Sequence, residues 1–389
     1  MATWLVILSV VLVAVILIQI GRINELAVKI RGAEAAQRQV NERNARIGLL
    51  FMAGFLIFVV ASFMVYKNRM LGYGPHESAS NHGLAIDNLF NVTMIVTGIV
   101  FFITQFLLFW YAFKYRDREG VTAKYIPHDN RLEIVWMVVP SIVMTFLVIG
   151  GLNVWNKTMA DIPEDAIAGQ DFIEIEATGY QFAWALRFPG DDYAIGEKNY
   201  KLIQPGYNDL GMNFEDVKTH DDFLPDTLVV PVGMPIRARI TSRDVLHNFY
   251  LPHFRVKMDA VPGMPTYFVF TPNKTTEQYR ENLKEYPEWQ APADPTDPEN
   301  TMQKWEAFEY ELACAELCGN GHFSMRRVVR VVTQEEFEQW HQWHSSKSFY
   351  TTNIQGTDAD PYFDASAPVE EAPIEEEETE LSEESLSSL

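Results

Sequence analysis

Two cysteines, a histidine and a methionine fall within twelve residues, in the run Cys314-Ala-Glu316-Leu-Cys318-Gly-Asn-Gly-His322-Phe-Ser-Met325. Thiolate and thioether sulfurs are soft donors that favour copper, and a methionine in particular argues against zinc. In blue-copper sites a Cys, a His and a Met arrive on one loop between two strands, with a second His from an earlier strand. Here the loop carries a second Cys, so two thiolates are available, enough to bridge two copper ions. The earlier histidine is offered by Leu246-His247-Asn248, at the end of a β-rich run. On residue types alone, a Cys314–Cys318 disulfide, a single zinc and a mononuclear copper stay open. The chain has no other cysteine, which argues against chance clustering. The remaining histidines, His76, His82, His128, His220, His253, His341 and His344, read as surface or loop residues rather than ligands.

Such a loop needs strands on either side of it. From 172 onward the chain offers short runs rich in aromatic and β-branched residues: Phe172–Phe188, Thr227–Val232, Ile236–Thr241, Thr266–Phe270, Phe308–Ala313 and Met325–Thr333. Pro-Gly pairs punctuate them at 189–190, 205–206 and 262–263. Many short strands at this spacing predict an all-β sandwich or barrel. The polar segment 273–304 interrupts the pattern as an insertion, with a short helix expected over Glu277–Glu285 and then four prolines. A helix over Gln334–Ser345 follows the last strand. Residues 346–389 read as an acidic, disordered tail, with 12 acidic and no basic side chains in 356–389.

The N-terminal part is of another kind. A mean hydropathy of −0.08 over 389 residues conceals four apolar runs, Thr3–Ile20, Gly48–Tyr66, Leu89–Phe113 and Ile134–Trp155. Each meets the length of roughly 20 mostly apolar residues that spans hydrocarbon. The first lacks a preceding basic residue and a small-residue cleavage site, so it reads as a retained helix rather than a signal peptide. Arg22, Lys29, Arg31, Arg38, Arg43 and Arg46 separate the first two runs, and five basic residues separate the last two. The positive-inside rule then puts those loops in the cytoplasm and both termini outside, in the periplasm of a bacterium. The outer part, 158–355, carries 17 basic against 31 acidic side chains. That balance disfavours a nucleic-acid partner. The absence of a CxxCH motif excludes covalently attached c-type haem.

With these residues in view, the chain resembles subunit II of cytochrome c oxidase, in the haem–copper oxidase family. The resemblance rests on C-x-E-x-C-x-x-x-H-x-x-M after Asp244-Val-Leu-His247, with Pro252, Lys257, Asp259-Ala260 and Pro262-Gly263. Gly179-Tyr-Gln181-Phe-Ala-Trp184 is similar to the family's aromatic stretch, and Glu133-Ile-Val-Trp136 with Pro140 to the start of a core helix. It extends over roughly 85–345.

The resemblance implies an α+β membrane protein: N-terminal transmembrane helical hairpins followed by an all-β cupredoxin-like Greek-key barrel. Residues 1–70 would add two helices to the family's core hairpin (85–157), and 158–345 would form the copper domain. It further implies a dinuclear copper centre, CuA, bridged by Cys314 and Cys318. His247 and Met325 would complete one copper; His322 and the carbonyl of Glu316 would complete the other. The Glu316 carboxylate would help bind Mg²⁺ against subunit I, and Glu133 would sit at the mouth of a proton-uptake path. Phe182 and Trp184 would mark the apolar centre of a docking patch where electrons arrive, although Phe182 stands where the family usually has Trp. Leu312-Ala313 likewise replaces the usual Gly-Gln. The implied function is to pass electrons from a cytochrome c-type donor to the haem–copper site of subunit I, where O₂ becomes water and protons are pumped. The donor would diffuse, or be membrane-tethered within a supercomplex. A copper-binding subunit of a nitric oxide reductase, a copper-free quinol oxidase subunit and a structural docking subunit are the alternatives, and the intact ligand set argues against the quinol oxidase.

Overall fold

The expected cytoplasmic loop 21–47 is rich in Ala, Glu, Gln and Arg, which are good helix formers, and it is helical. In the computed structural model, which describes residues 2–66, 77–118, 120–297, 301–357 and 360–362, only Gly32 separates α1 (Ala2–Arg31) from α2 (Ala33–Tyr66). Its φ of +84° suits the residue that ends a helix in the left-handed region. The basic residues assigned to a loop therefore ride on the facing ends of two helices. α2 packs on α3 (Gly83–Lys114) through Phe51 against Phe109 and Phe55 against Phe101, with ring centroids 6.4 and 6.3 Å apart. Glu42 pairs with Arg46 at 2.7 Å and with Arg116 at 3.5 Å. In α4 (Asn130–Thr158), the Asp129 side chain accepts the first-turn N–H groups of Arg131 and Leu132. Among the described residues α2, α3 and α4 are long and apolar enough to cross a membrane, whereas the described apolar stretch of α1, Val11–Ile23, is shorter.

The chain divides into two compact units, one drawn from 1–70 and 91–145 and the other from 71–90 and 146–389. The second is a cupredoxin-like sandwich. The expected strand Phe172–Phe188 is a hairpin, β1 (Ile173–Tyr180) and β2 (Ala183–Arg187), joined by Gln181-Phe182. β3 is Leu228–Pro231, β4 Ile236–Ser242, β5 His247–Leu251, β6 Val256–Ala260, β7 Thr266–Phe270, β8 Tyr310–Cys314 and β9 Arg326–Val332. One sheet has the order β2-β1-β4-β7, the other β3-β9-β8-β5-β6; β1–β4 and β3–β9 are parallel. Between them lie Ile173, Ile175, Trp184, Phe249, Leu251, Tyr310, Leu312 and Val331, all at most 2 % exposed. The insertion contributes to this core. Its helix α5 (Thr276–Leu283) opens with a Thr275–Gln278 capping box and buries Tyr279 and Leu283. α6 (Gln334–Ser345) matches its predicted bounds, capped by Thr333 and Glu336 and burying Phe337 and Trp340. Upstream of the expected boundary at 85, Ala79 and Ser80 are also buried: the Ala79 N–H donates to the His253 carbonyl and Ser80 Oγ to that of Phe254.

On β1 the usual alternation fails, because residues 188–226 cover its second face. Glu176 and Arg187, paired across β1 and β2, are wholly buried there. Arg187 donates to Asp222, while Lys198 reaches Glu176 at 2.8 Å and the hydroxyls of Thr178 and Thr241 at 3.1 and 2.9 Å. The domain also runs past 345, where the tail was expected to begin. In α7 (Phe349–Asn353) the Phe349 N–H donates to the Asp222 carbonyl and Tyr350 stacks on His220 at 3.9 Å. Tyr350 and Ile354 join Leu210, Met212 and Phe214 in a second apolar cluster. Five consecutive residues that include Phe349 and Tyr350 have apolar surface to bury, which a purely acidic tail has not. The rest of the tail, from 363, lies outside the described residues.

Burial pushes the Asp222 carboxyl up to about 7, against the opposing pull of Arg187. A folded-state pKa above the unfolded one means that the native state holds the proton longer, so this group's contribution falls as pH rises from about 4 to 7 and is flat above. Asp222→Asn removes that dependence. The stability of wild type relative to the variant is expected to drop by about 1.4 kcal/mol per pH unit across that window. Denaturant unfolding at several pH values checks it; a difference that grows with pH would refute it.

Candidate metal centre

The β5–β8 ladder pairs Phe249 with Cys314, and so sets the start of β5 beside the end of β8. His247 opens β5 rather than closing a β-run, because the chain bends away after β4 over Arg243–Leu246. Cys314 ends β8, and the chain then loops to β9 through a short 3-10 turn at His322–Ser324. The loop is tied down at both ends: the Ala315 N–H donates to the Asn248 carbonyl, and that of Cys314 to the Met325 carbonyl.

This topology gathers the predicted donors. Cys314 Sγ lies 3.8 Å from His247 Nδ1, 3.2 Å from the Glu316 carbonyl oxygen and 3.9 Å from Cys318 Sγ. Cys318 Sγ lies 3.6 Å from His322 Nδ1 and 4.0 Å from Met325 Sδ. Both cysteines are free thiols, so the disulfide left open above is not formed. His247, Cys314, Cys318 and Met325 are buried, His322 is half-buried and Glu316 is exposed. Two thiols, two imidazole nitrogens, a thioether and a carbonyl within one small volume suit copper better than zinc. The thiols stand in the middle of the set, Cys314 nearer His247 and Cys318 nearer His322 and Met325.

A second layer, which the motif did not reveal, orients these groups. Asp244 Oδ1 is 2.8 Å from His247 Nε2, leaving Nδ1 to face the thiols. Its other oxygen accepts the Gln181 N–H at 2.7 Å. Burial works to raise the Asp244 carboxyl, but hydrogen bonds from His247 and from the N–H groups of Gln181 and Val245 outweigh it and hold the pKa below the usual range. The Asp-x-x-His spacing was the available signal. Gln181 Nε2 donates to the Cys318 carbonyl at 2.6 Å. Burial, reinforced by the neighbouring Cys314 thiol, pushes Cys318 up to about 11.

Other expected site residues fall elsewhere. Trp184 is fully buried, its ring 6.1 Å from that of His247, and so cannot form part of a surface patch. Phe182, in the turn before β2, is 37 % exposed; the two-residue strand period does not carry across that turn. Glu133 lies in the first turn of α4, partly buried. Of the lone histidines, His128 is exposed and His253 lies in the turn after β5, though buried at 7 % exposed; His341, on α6 and 3 % exposed, is neither a surface nor a loop residue. His76 lies outside the described residues.

The family profile for "Cytochrome C oxidase subunit II, periplasmic domain" matches residues 173–281, and that for "Cytochrome C oxidase subunit II, transmembrane domain" matches 68–154. The chain is 31 % identical to the alternative cytochrome c oxidase subunit 2 of Bradyrhizobium diazoefficiens over 273 residues, 70 % of this chain and 83 % of that one. It is 26 % identical to cytochrome c oxidase subunit 2 of Thermostichus vulcanus over 304 residues, 74 % and 82 % of the two chains. Among solved structures, the periplasmic domain of subunit II of cytochrome oxidase (CoxB) of Bradyrhizobium japonicum is 25 % identical, with a TM-score of 0.28 over 46 % of this chain and 99 % of that one. The periplasmic profile stops before the 314–325 loop, whose assignment rests on its own geometry.

A thiol held at about 11 must lose its proton to ligate a metal, so protons compete with copper. Apparent affinity is expected to rise about tenfold per pH unit for each thiol proton released between pH 6 and 8. Competition against a chelator of known pH dependence measures this; a flat profile would exclude the thiols as ligands.

Proposed function

The chain belongs to the cytochrome c oxidase subunit II family, and from that premise we propose that it is the subunit through which electrons enter a proton-pumping terminal oxidase. Family membership makes it a membrane protein with a periplasmic domain, one subunit of a haem–copper oxidoreductase. The observation that carries the finer reading is that the donor atoms of His247, His322 and Met325 each lie within 4.0 Å of one of the two thiols, Cys314 and Cys318, which are themselves 3.9 Å apart.

In this reading Cys314, Cys318, His247, Met325, His322 and the Glu316 carbonyl would hold copper, and copper held there would supply a one-electron relay. The protein's own part is to keep the donors fixed: Asp244 holds the His247 ring in one tautomer and orientation, and Gln181 ties the Cys318 peptide to the β1–β2 turn. The fully buried Trp184 backs the His247 ring and keeps water from that side. The exposed carboxylate of Glu316 is free to help bind Mg²⁺ at the boundary with subunit I, where the haems and O₂ reduction belong. Glu133, at the start of α4, would serve proton uptake on the cytoplasmic side. The family's two core helices would be joined by α1 and α2 in the inner membrane of a bacterium, with both termini in the periplasm. The acidic outer domain suits a positively charged donor of the cytochrome c type, diffusing or tethered.

About two coppers per chain and a mixed-valence EPR signal are expected. Cys318→Ser should abolish that signal and nearly all oxidase turnover. Met325→Leu should keep the metal and shift its potential, because an axial thioether tunes more than it holds. A chain that binds one zinc and no copper would end this reading.

The donor is separable by salt. Steering between opposite charges weakens as the Debye length contracts from about 10 Å at 0.1 M. Turnover falling steeply with ionic strength is expected for a diffusing basic donor, and a flat profile in intact membranes identifies a tethered one.

A further inference from the structure

Gln181 and Phe182 form the turn between β1 and β2, and both side chains reach the loop between Cys318 and His322. Gln181 holds the Cys318 carbonyl. Phe182 holds nothing by hydrogen bonding, because a phenyl ring has no donor or acceptor; its contact is one of shape. A Cβ placed on Gly319 would stand 2.8 Å from Phe182 Cε1 and 2.9 Å from Cζ. One placed on Gly321 would stand 2.5 Å from Cγ and 2.6 Å from Cδ2. The far end of the ring thus occupies the side-chain space of one glycine, and its near end that of the other.

The two glycines differ in an informative way. Gly319 has φ +134°, which excludes other residues whatever the space. Gly321 has φ −92° and ψ 10°, a conformation open to alanine. Backbone geometry therefore does not explain the missing side chain at 321, whereas the ring does. The segment Gly319-Asn320-Gly321 carries the least intrinsic stiffness of the loop, since glycine loses the most freedom on ordering. It also lies between two of the residues that would hold copper.

We infer that Phe182 is a positioning residue: its ring, seated on Gly319 and Gly321, clamps the Cys318–His322 segment and fixes the spacing of those two donors. This rests on the copper reading of the same loop and gives Phe182 a task other than passing electrons. Packing of this kind limits the motion by which a loop opens and lets a metal go, much as hydrogen bonds to a ligand do.

The test uses the full-length chain as wild type, Phe182→Ala, Gly321→Ala and the double variant. Two quantities are read: the rate at which excess chelator removes copper, and amide hydrogen exchange over 318–325 in the metal-free chain. Phe182→Ala should speed copper release about tenfold and raise exchange in the loop. Gly321→Ala should do the same by displacing the ring. In the double variant the new methyl enters the space the ring has left, so release should match Phe182→Ala alone rather than multiply the two effects. Phe182→Tyr, which keeps the ring, should behave as wild type. Where the alanine variant does not fold, Phe182→Leu replaces it and should release copper several-fold faster, since a branched chain cannot lie flat over both glycines. Unchanged release and exchange in Phe182→Ala or Phe182→Leu, or fully multiplicative effects in the double variant, would overturn the inference. Wild type that takes up no copper would instead overturn the functional reading, and the exchange measurement would still decide the clamp.

Discussion

The antiparallel pairing of Phe249 with Cys314 is the contact on which the centre depends. His247 and Cys314 are 67 residues apart in the chain, and their donor atoms must meet within 4 Å. No local propensity achieves that; only a sheet register does, and a slip of one residue would turn either side chain to the opposite face. The register is fixed from both sides, by β6 pairing along the whole of β5 and by β9 pairing with β8. Aromatic side chains from β5, β8 and the following turn, including Phe249, Tyr310 and Phe254, fill the core behind it. The metal loop can then be short and poor in regular structure, because its two ends are already placed.

The remaining freedom lies in the loop and in the imidazole rings, and the β1–β2 hairpin removes much of it. Its turn reaches the centre by three routes. The Gln181 N–H engages Asp244 and through it His247; the Gln181 side chain engages the Cys318 carbonyl; and Phe182 lies against the glycines that follow. Trp184, one strand residue further, meets His247 from the core. The hairpin is itself anchored at its far end by the buried pairing of Arg187 with Glu176 and Asp222. Such a buried cluster adds little net stability, since desolvation offsets much of the attraction. It does leave one arrangement in which every charge has a partner, so its effect is on specificity.

Much of this was legible in the sequence, and the reasons for what was not are physical. The donors in 314–325 are local, and their chemistry follows from residue type. α6 could be bounded because its Thr333–Glu336 capping box is a sequence signal. The resemblance groups Trp184 with Phe182 in one aromatic stretch, but Phe182 lies in the exposed turn and Trp184 on β2 faces the core, a difference that residue type does not show. The loop expected at 21–47 is simply what lies between two apolar runs; its helix propensity points the other way, and only Gly32 interrupts the helices. Gln181 was noticed as part of a motif, but its partner lies 137 residues away. The burial of His253 and His341 is not legible because a single histidine carries no periodicity; each meets aromatic rings from other parts of the chain, Phe308 for the first and Tyr193 and Phe223 for the second.

On the proposed reading, a site that hands on single electrons would gain from ligands that do not move when the charge changes, and the arrangement here would supply that rigidity from the sheets rather than from the loop. Each donor is either part of a strand end, as His247 and Cys314 are, or lies within two residues of a contact made by the hairpin or β9. Met325 immediately precedes β9, and its carbonyl already accepts the Cys314 N–H. Cys318 is held through its carbonyl by Gln181. His322 follows Gly321 directly, in the short 3-10 turn before β9. The clamp by Phe182 falls on the Gly319–Gly321 segment, which is where a loop of this composition would otherwise be free to open.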